Sequence, residues 1–474
     1  MPGIAVVAAL ARFLWLELWP PFVDEGIHAS AALAMQRAFW PEALLLTSSA
    51  QPFKPPLPFL VHAAITPSPE LAIWTGRALS AAAGVVSTLL CGALGGRVGG
   101  PHAGMLAAGL YALAPLAVLH ERLVIQDGVM AAFCLAAALV GWNAVERGSW
   151  WRAVAAAMLG GLAVQFKIPA LLGAALPLVA FGGGRERTPR RLGVAALAAA
   201  GPVLSMGALW LTPIGEGVMR QNRGRVSAPL AYTGEAYVHF IDWVGTYLPF
   251  GLWLLPLAGL VVLWRRDRPA FLVCAAGVLL WTLPWLTAAR FSPSRYYLPV
   301  VAWLCALAAV ALVALWRGHA RLGLSATLAV GAVWAAHTGW LIWGHSTAPM
   351  PWLDDWQYRS AWPSGYGYAE AGQLARRTAV PGDSIIFAID NRHQVAAGMH
   401  APPVGVTVVD ASGSINRALS GLRGTAYFVV DDGRDGAPGA RAADLRSRVP
   451  ELEPLGRFTR PGTSFGVDVL RLRR

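Results

Sequence analysis

Two adjacent carboxylates follow the first apolar segment of this chain of 474 residues. The stretch PPFVDEG places Asp24 and Glu25 directly after residues 3–20, which are apolar and long enough to cross a membrane. A carboxylate at a membrane edge can orient a hydroxyl group and accept its proton in a displacement reaction. The alternative is structural, because an Asp just before a helix commonly caps the free backbone N–H groups of the first turn.

The chain contains only two lysines, Lys54 and Lys167, although it is rich in arginine. Each is followed by proline within two residues, in KPP and KIP, and each lies at the edge of a predicted span on the same side. A lysine ammonium is a compact charge that can approach a single phosphate oxygen, whereas arginine presents a planar fork. Lysines also extend toward lipid headgroups, but two lysines at one face favour anion binding.

A third acid and several cations fall in segments predicted on the same side of the membrane. Asp127, in HERLVIQDG, opens an apolar segment, where an acid is either a helix cap or a functional group. Singly, arginines and tyrosines at such positions are typical anchors at headgroup depth. Together they predict one outer cavity lined by a few acids and several cations. The further candidates are Arg223, Arg225 and Arg295 for an anion, and His239, Tyr296 and Tyr297 for other parts of a substrate.

The composition is that of a membrane protein. Hydrophobic residues make up 56% of the chain, charged residues only 14%, and the mean hydropathy is +0.49, which indicates many membrane spans. The net charge of +12 lies mainly in turns between apolar segments, which fits the positive-inside rule and does not indicate nucleic-acid binding. The four cysteines all fall inside apolar segments, so they predict neither a disulfide framework nor a metal cluster.

The apolar segments predict a polytopic α-helical protein with about eleven spans. Every second connection is a short basic turn, such as GGGRERTPRRLG or WRRDRP, which places these turns and the N-terminus in the cytoplasm, at a plasma (inner) membrane. The other connections, including long loops over residues 21–70 and 213–242, then face outward. The predicted spans are residues 3–20, 71–96, 102–120, 127–146, 150–166, 168–183, 192–212, 243–264, 269–288, 296–316 and 322–343.

The composition changes near residue 346. The stretches SIIFAID, VGVTVVDA, TAYFVVDD and SFGVDVLRL are typical of strands, and GYAEAGQLARRTA and APGARAADLRSRV are typical of helices. Alternating strands and helices favour a small α/β domain with a mainly parallel sheet. We therefore predict two domains: a membrane domain over residues 1–345, and an α/β domain over residues 346–474 that an odd number of spans places outside the cytoplasm.

The order of these motifs resembles that of a known superfamily. The acid pair after the first span, KPPL in the first outer loop, Asp-Gly at the fourth span, QFKIP and SRYYLP are similar to motifs of the GT-C superfamily of integral-membrane glycosyltransferases. The nearest types are the protein O-mannosyltransferases and the lipid A aminoarabinose transferases. The resemblance covers residues 1–345 in order, and residues 346–474 match only in kind.

The resemblance implies a donor sugar linked to a polyprenyl phosphate, with Asp24 as the catalytic carboxylate and Lys54 in contact with the donor phosphate. Asp127, Lys167 and Arg295 match less strictly assigned positions. Some relatives carry a metal-contacting Glu before the lysine. Phe53 stands there in this chain, so this position does not support a metal site. A divalent metal elsewhere stays open, and no other cofactor is implied.

The residues fit this chemistry without the resemblance. A sugar that leaves a phosphate needs cations to hold the developing charge, and the acceptor hydroxyl needs a carboxylate to take its proton. A single displacement would invert the anomeric centre. The acceptor could be a lipid, a glycan or a protein, and membrane lipids are the other expected partners. The main alternative is a transporter or flippase, which would carry its charges near the bilayer midplane; a third is a structural assembly protein.

Overall fold

The computed structural model describes most of the chain. The described residues are 1–37, 54–184, 186–212, 215–217, 233–287, 292–361, 363–387, 405–410, 424–431 and 442–473. They divide into two compact units. The first unit comprises Met1–Leu16, Met35–Val61 and Arg77–Pro351, and the second comprises Glu17–Ala34, His62–Gly76 and Trp352–Arg474. The predicted domain boundary at residues 345 and 346 stays a prediction.

Helices dominate the described residues before residue 351. In chain order they are α1 (Pro2–Phe13), α2 (Val23–Arg37), α3 (Leu57–Ile65), α4 (Ala72–Gly99), α5 (Pro101–Leu113), α6 (Pro115–His120), α7 (Gln126–Arg147), α8 (Trp150–Phe166), α9 (Ala175–Gly183), α10 (Pro189–Trp210), α11 (Thr233–Tyr247), α12 (Leu254–Arg266), α13 (Arg268–Thr287), α14 (Leu298–Gly318) and α15 (Ala320–Trp343). Short 3₁₀ helices cover Pro69–Leu71, Ile168–Ala174 and Ser294–Tyr297.

Five helical segments among the described residues are long and apolar enough to cross a membrane, so the chain is a multi-pass membrane protein. They are Pro69–Gly99, Gln126–Arg147, Pro189–Trp210, Arg268–Thr287 and Ser294–Gly318. Pro2–Phe13 and Ile168–Gly183 are shorter apolar helices. The count of eleven spans and the orientation of the termini stay predictions.

Three predicted spans differ from the structure in their helical extent. The segment expected over residues 102–120 is divided into α5 and α6 at Ala114, where the backbone is extended. The segment expected over residues 3–20 is helical only as far as Phe13, because the backbone at Leu14 is extended. The segment expected over residues 243–264 is interrupted between α11 and α12. Pro249, Phe250 and Gly251 lie in this break, and Phe250 has a positive φ of 56°. Proline removes a helical N–H donor and glycine tolerates positive φ, so both residues favour a break here.

Small residues allow α7, α8 and α10 to pack closely. Their shared core contains Ala144, Ala153, Ala156 and Ala195, all buried. A Cβ atom at Gly201 would lie 2.0 Å from the backbone oxygen of Ala157, so α8 and α10 touch through their backbones. Close backbone approach through small residues is how helices associate where surrounding lipid weakens the hydrophobic driving force. This packing fixes α7, whose first turn carries Asp127, and α8, which Lys167 directly follows.

The second unit contains a five-stranded sheet after residue 352. Its elements are α16 (Trp352–Asp355), a π-helix (Trp356–Ser360), α17 (Tyr368–Thr378), β1 (Ser384–Phe387), β2 (Thr407–Asp410), β3 (Ala426–Asp431), α18 (Ala442–Arg448), β4 (Glu453–Thr459) and β5 (Gly466–Leu472). The strand order is β2-β1-β3-β5-β4. Tyr368 and Ala371 of α17 pack on one set of strand side chains, and Leu445 of α18 packs on another.

The sheet is mixed, whereas the sequence predicts a mainly parallel one. β2, β1 and β3 pair in parallel, but β3 with β5 and β5 with β4 pair antiparallel. No helix lies between β4 and β5. A tight turn joins them, in which the Arg460 N–H donates to the Phe465 carbonyl, and strands joined by a tight turn must run antiparallel. The sequence reading missed β4 because Pro454 and Gly456 interrupt an exposed edge strand at a register shift.

Candidate functional site

Asp127 and Lys167 form an ion pair in the first unit. Asp127 lies in the first turn of α7 and is only 3% exposed. Lys167 directly follows α8, where its extended backbone ends the helix before Pro169. The Lys167 Nζ atom lies 2.5 Å from the Asp127 Oδ1 atom. Two helix ends that are distant in sequence therefore place a carboxylate against one of the two lysines of the chain.

Tyr296 and Arg295 complete a cluster around this ion pair. The Lys167 Nζ atom lies 4.3 Å from the centre of the Tyr296 ring, and the Arg295 guanidinium carbon lies 5.8 Å from the same centre. Both cations thus lie within the range of cation–π attraction. Trp285 packs against Tyr296 with ring centres 4.7 Å apart. We refer to Asp127, Lys167, Arg295 and Tyr296 as the Lys167 cluster.

The two cations of the Lys167 cluster outnumber its one carboxylate. The side chain of Lys167 is 20% exposed, whereas the side chain of Asp127, like the residue as a whole, is almost fully buried. A carboxylate in the first turn of a helix is stabilised by the helix dipole, so Asp127 can hold the ammonium of Lys167 in place. Lys167 and Arg295 together bring two positive charges to one aromatic ring, with one carboxylate to offset them.

Tyr297 and His239 lie on elements beside this cluster. The Tyr297 hydroxyl shares a hydrogen bond of 2.9 Å with the Ser292 hydroxyl, and its ring stacks on Trp243 at 5.1 Å. Phe240 also packs on Tyr297, so α11 is held against the 3₁₀ helix that carries Tyr296. His239 is half-buried on α11. The roles of Tyr297 and His239 in substrate binding stay predictions.

Asp24 and Glu25 lie in the first turn of α2, in the second unit. Glu25 is fully buried, and its Oε2 atom accepts a hydrogen bond of 3.2 Å from the backbone N–H of Phe22. The N–H of Val23 donates to the carbonyl of Pro363 at 2.9 Å. Glu25 thus satisfies a backbone donor at the helix start, in the manner of a capping box. Asp24 is half-buried and lies inside the first turn rather than at the N-cap.

Lys54 lies just before α3, and the two prolines that follow it are buried. It is half-buried in the first unit. Arg223 and Arg225 lie outside the described residues, as does Phe53. Among the described residues, no group of three or more His, Cys, Asp and Glu side chains is arranged to hold a metal ion.

A buried charge network beside the Lys167 cluster was missed from the sequence. Arg12 and Glu121 are fully buried, and the Arg12 guanidinium donates to Glu121 Oε2 at 2.7 Å. The Tyr111 hydroxyl donates to Glu121 Oε1 at 2.7 Å. Arg12 also donates to the carbonyls of Ala112 and Tyr111, at the end of α5. The available signal was an arginine inside an apolar segment, which requires a partner, but spacing could not identify a residue 109 positions away.

Two further arginines join the same region. Arg122 donates to the carbonyls of Ala11, Arg12 and Trp15, so it caps the C-terminal end of α1. Arg77 donates to the carbonyl of Leu16. Arg122 lies in a turn between predicted spans, where burial and the charges of Arg77 and Arg12 lower the pKa of its guanidinium to about 10. It therefore remains charged at neutral pH and continues to cap α1.

The fold of this chain is similar to that of solved structures of ArnT and of an oligosaccharyltransferase, which supports the resemblance to the GT-C superfamily found in the sequence. ArnT from Cupriavidus metallidurans matches in its apo state with a TM-score of 0.60, and bound to undecaprenyl phosphate with a TM-score of 0.58. Each match has 14% identity and covers 99% of this chain and 97% of that chain. At this identity the likeness concerns the fold.

A second enzyme and a family model extend the comparison. The archaeal oligosaccharyltransferase AglB from Archaeoglobus fulgidus, in complex with an inhibitory peptide and a dolichol-phosphate, matches with a TM-score of 0.51 and 13% identity. That match covers 85% of this chain and 64% of the other. The family model for dolichyl-phosphate-mannose-protein mannosyltransferase matches residues 53–210. No curated protein matches the chain in sequence.

Proposed function

We propose that this protein is a membrane glycosyltransferase that moves a sugar from a polyprenyl-phosphate donor to an acceptor hydroxyl at the extracytoplasmic face. The observation that carries the proposal is the Lys167 cluster, in which Lys167 and Arg295 meet at one aromatic ring beside Asp127 within a GT-C fold. The solved neighbours with undecaprenyl phosphate and dolichol-phosphate support a lipid phosphate as the anion.

The proposed reaction is a single displacement. The bond between the anomeric carbon and the phosphate oxygen breaks, and a bond from the acceptor oxygen to the same carbon forms with inversion. The hydroxyl proton passes to the carboxylate of Asp24, and the polyprenyl phosphate leaves with the negative charge. We assign Lys54, Lys167 and Arg295 to that charge, because fixed cations stabilise a leaving anion most where little water competes. Arg223 and Arg225 remain sequence candidates for the same role.

Asp127 has a different role in this proposal from that of Asp24. Its carboxylate is nearly buried and already paired with Lys167, so it is poorly placed to accept a proton from an acceptor hydroxyl. We assign it the orientation of the Lys167 ammonium. The proposal likewise assigns Glu25 to the start of α2, where it keeps Asp24 in the first helical turn.

A transfer assay tests the proposed function. The purified protein in liposomes would receive a panel of labelled sugars on polyprenyl phosphate, with lipid, glycan and peptide acceptors. We expect one donor to release polyprenyl phosphate in step with labelled product. Movement of the intact donor across the bilayer without cleavage would instead identify a flippase. If no donor were cleaved and no donor moved across the bilayer, both the transferase and the flippase interpretations would be refuted.

Lys54→Arg separates phosphate contact from an interaction with lipid headgroups. Arginine reaches headgroups as readily as lysine does, so a headgroup role predicts normal transfer. Pro55 and Pro56, which follow Lys54, are buried. If Lys54 touches a single phosphate oxygen in a tight cleft beside them, a planar guanidinium should fit poorly there. We expect a higher donor KM for Lys54→Arg, a larger loss for Lys54→Ala, and normal expression of both. Wild-type donor kinetics for Lys54→Arg would exclude the phosphate contact.

A further inference from the structure

We infer that Arg12 and Glu121 are positioning residues that hold Asp127, and through it Lys167, in the geometry of the Lys167 cluster. Glu121 lies in the turn between α6 and α7, and Asp127 is the second residue of α7. The turn thus connects the buried ion pair of Arg12 with Glu121 to the ion pair of Lys167 with Asp127. The link to transfer rests on the proposed function, but the link between the two ion pairs does not.

The side chain of Glu121 packs against the start of α7. A Cβ atom placed on Gly128 would lie 3.4 Å from the Glu121 Cγ atom, so the Glu121 side chain lies beside the residue that follows Asp127. Ile125, which precedes α7, provides no side-chain cap for the helix. Its carbonyl accepts a hydrogen bond of 3.2 Å from the Ser80 hydroxyl. The helix start is therefore fixed by the turn and its neighbours rather than by a cap of its own.

His120, at the start of the same turn, contacts the segment that carries Arg295. His120 and Ser294 lie 3.4 Å apart between the imidazole Nε2 atom and the hydroxyl oxygen. Ser294 immediately precedes Arg295 in the 3₁₀ helix. The His120 Nδ1 atom also forms a hydrogen bond of 2.8 Å with the carbonyl of Leu116. One turn therefore contacts both the segment that carries Asp127 and the segment that carries Arg295.

Fixed geometry is the main effect that we expect from this buried ion pair. Removing two charges from water costs about as much free energy as their attraction returns, so such a pair adds little net stability. Removing one partner leaves the other charge buried and unpaired, which distorts or unfolds its surroundings. Arg12 also donates to the end of α5, and Tyr111 donates to Glu121. Glu121 is thus held by residues of two helices, α1 and α5, while its side chain lies beside the start of α7.

The two lysines of the chain provide a measurement that needs no activity. An amine-specific reagent, read by mass spectrometry, labels Lys167 and Lys54 in the same sample, and Lys54 serves as the internal reference. Glu121→Gln keeps the size of the side chain but removes its charge. We expect it to raise the labelling rate of Lys167 relative to Lys54 by about threefold or more, as expected for residues in one coupled network. An unchanged ratio would overturn the inference.

A double-mutant cycle shows whether the effect passes through Asp127. Asp127→Asn should itself raise the labelling of Lys167, because it removes the charge that holds the ammonium. Adding Glu121→Gln to Asp127→Asn should then change little. Multiplied effects would show that Glu121 acts on Lys167 independently of Asp127. Glu146→Gln is the matched control, because Glu146 pairs with Arg97 at the other end of α7 and should leave the ratio unchanged.

A second variant covers the outcome in which Glu121→Gln does not fold. Arg12→Met combined with Glu121→Leu replaces both charges with apolar groups, an exchange that proteins often tolerate. We expect this double variant to fold and still to show faster labelling of Lys167. A folded double variant with the wild-type ratio would overturn the inference. If the wild-type protein transfers sugar, the same variants should raise the donor KM. If no donor is transferred, the proposed function fails while the labelling result stands.

Discussion

Asp24→Asn is expected to lower the rate of sugar transfer by at least ~100-fold, the usual effect of removing a positioned general base. Asparagine keeps the shape of the side chain but cannot accept the hydroxyl proton. Asp24 is half-buried in the first turn of α2, and Glu25 already accepts the backbone N–H of Phe22. The fold should therefore survive the substitution. The measurement is turnover at saturating donor and acceptor, beside the thermal unfolding midpoint in detergent.

Glu25→Gln is the comparison that separates the two adjacent acids. Glutamine can still accept the backbone N–H of Phe22, because its side-chain oxygen serves in a capping box as well as glutamate does. We expect a smaller loss of turnover than for Asp24→Asn. A larger loss would assign the proton transfer to Glu25 instead, and full activity of Asp24→Asn would leave Asp24 without a catalytic role.

The positions of most helices could be predicted because lipid and core both select apolar segments of fixed length. α4, α7, α10, α13 and α14 lie where the sequence places spans. The ends were harder to predict. The chain around Pro249 and Gly251 is apolar enough to suggest one continuous helix. The helix is interrupted there, because proline lacks a backbone N–H donor and glycine tolerates positive φ.

The members of the Lys167 cluster could be predicted singly, but not their contacts. Residue type and position at a span edge identified Asp127, Lys167, Arg295 and Tyr296. The pairing of Asp127 with Lys167 depends on how α7 and α8 pack, and sequence spacing carries no information about that. The pairing of Arg12 with Glu121 could not be predicted from the sequence for the same reason. Sequence chemistry thus proposes functional groups, and tertiary packing decides which of them neutralise one another.

Charge removal at Lys167 is the second large effect, and its design must separate binding from stability. Lys167→Met should lower transfer by ~100-fold or more, the cost of losing one fixed group that stabilises a developing anion. The single variant also leaves the nearly buried carboxylate of Asp127 unpaired, which by itself destabilises a protein.

Lys167→Met combined with Asp127→Asn resolves this ambiguity, because it removes both charges of the ion pair. If the pair serves only the fold, the double variant should recover both the unfolding midpoint and the transfer rate. If the ammonium of Lys167 contacts the donor phosphate, the midpoint should recover while transfer stays low and the donor KM stays high. Arg295 and Tyr296 remain in place in this variant, so any residual transfer measures what the rest of the cluster contributes. Recovery of full activity would remove Lys167 from the donor site and leave Lys54 and Arg295 as the anion-binding groups.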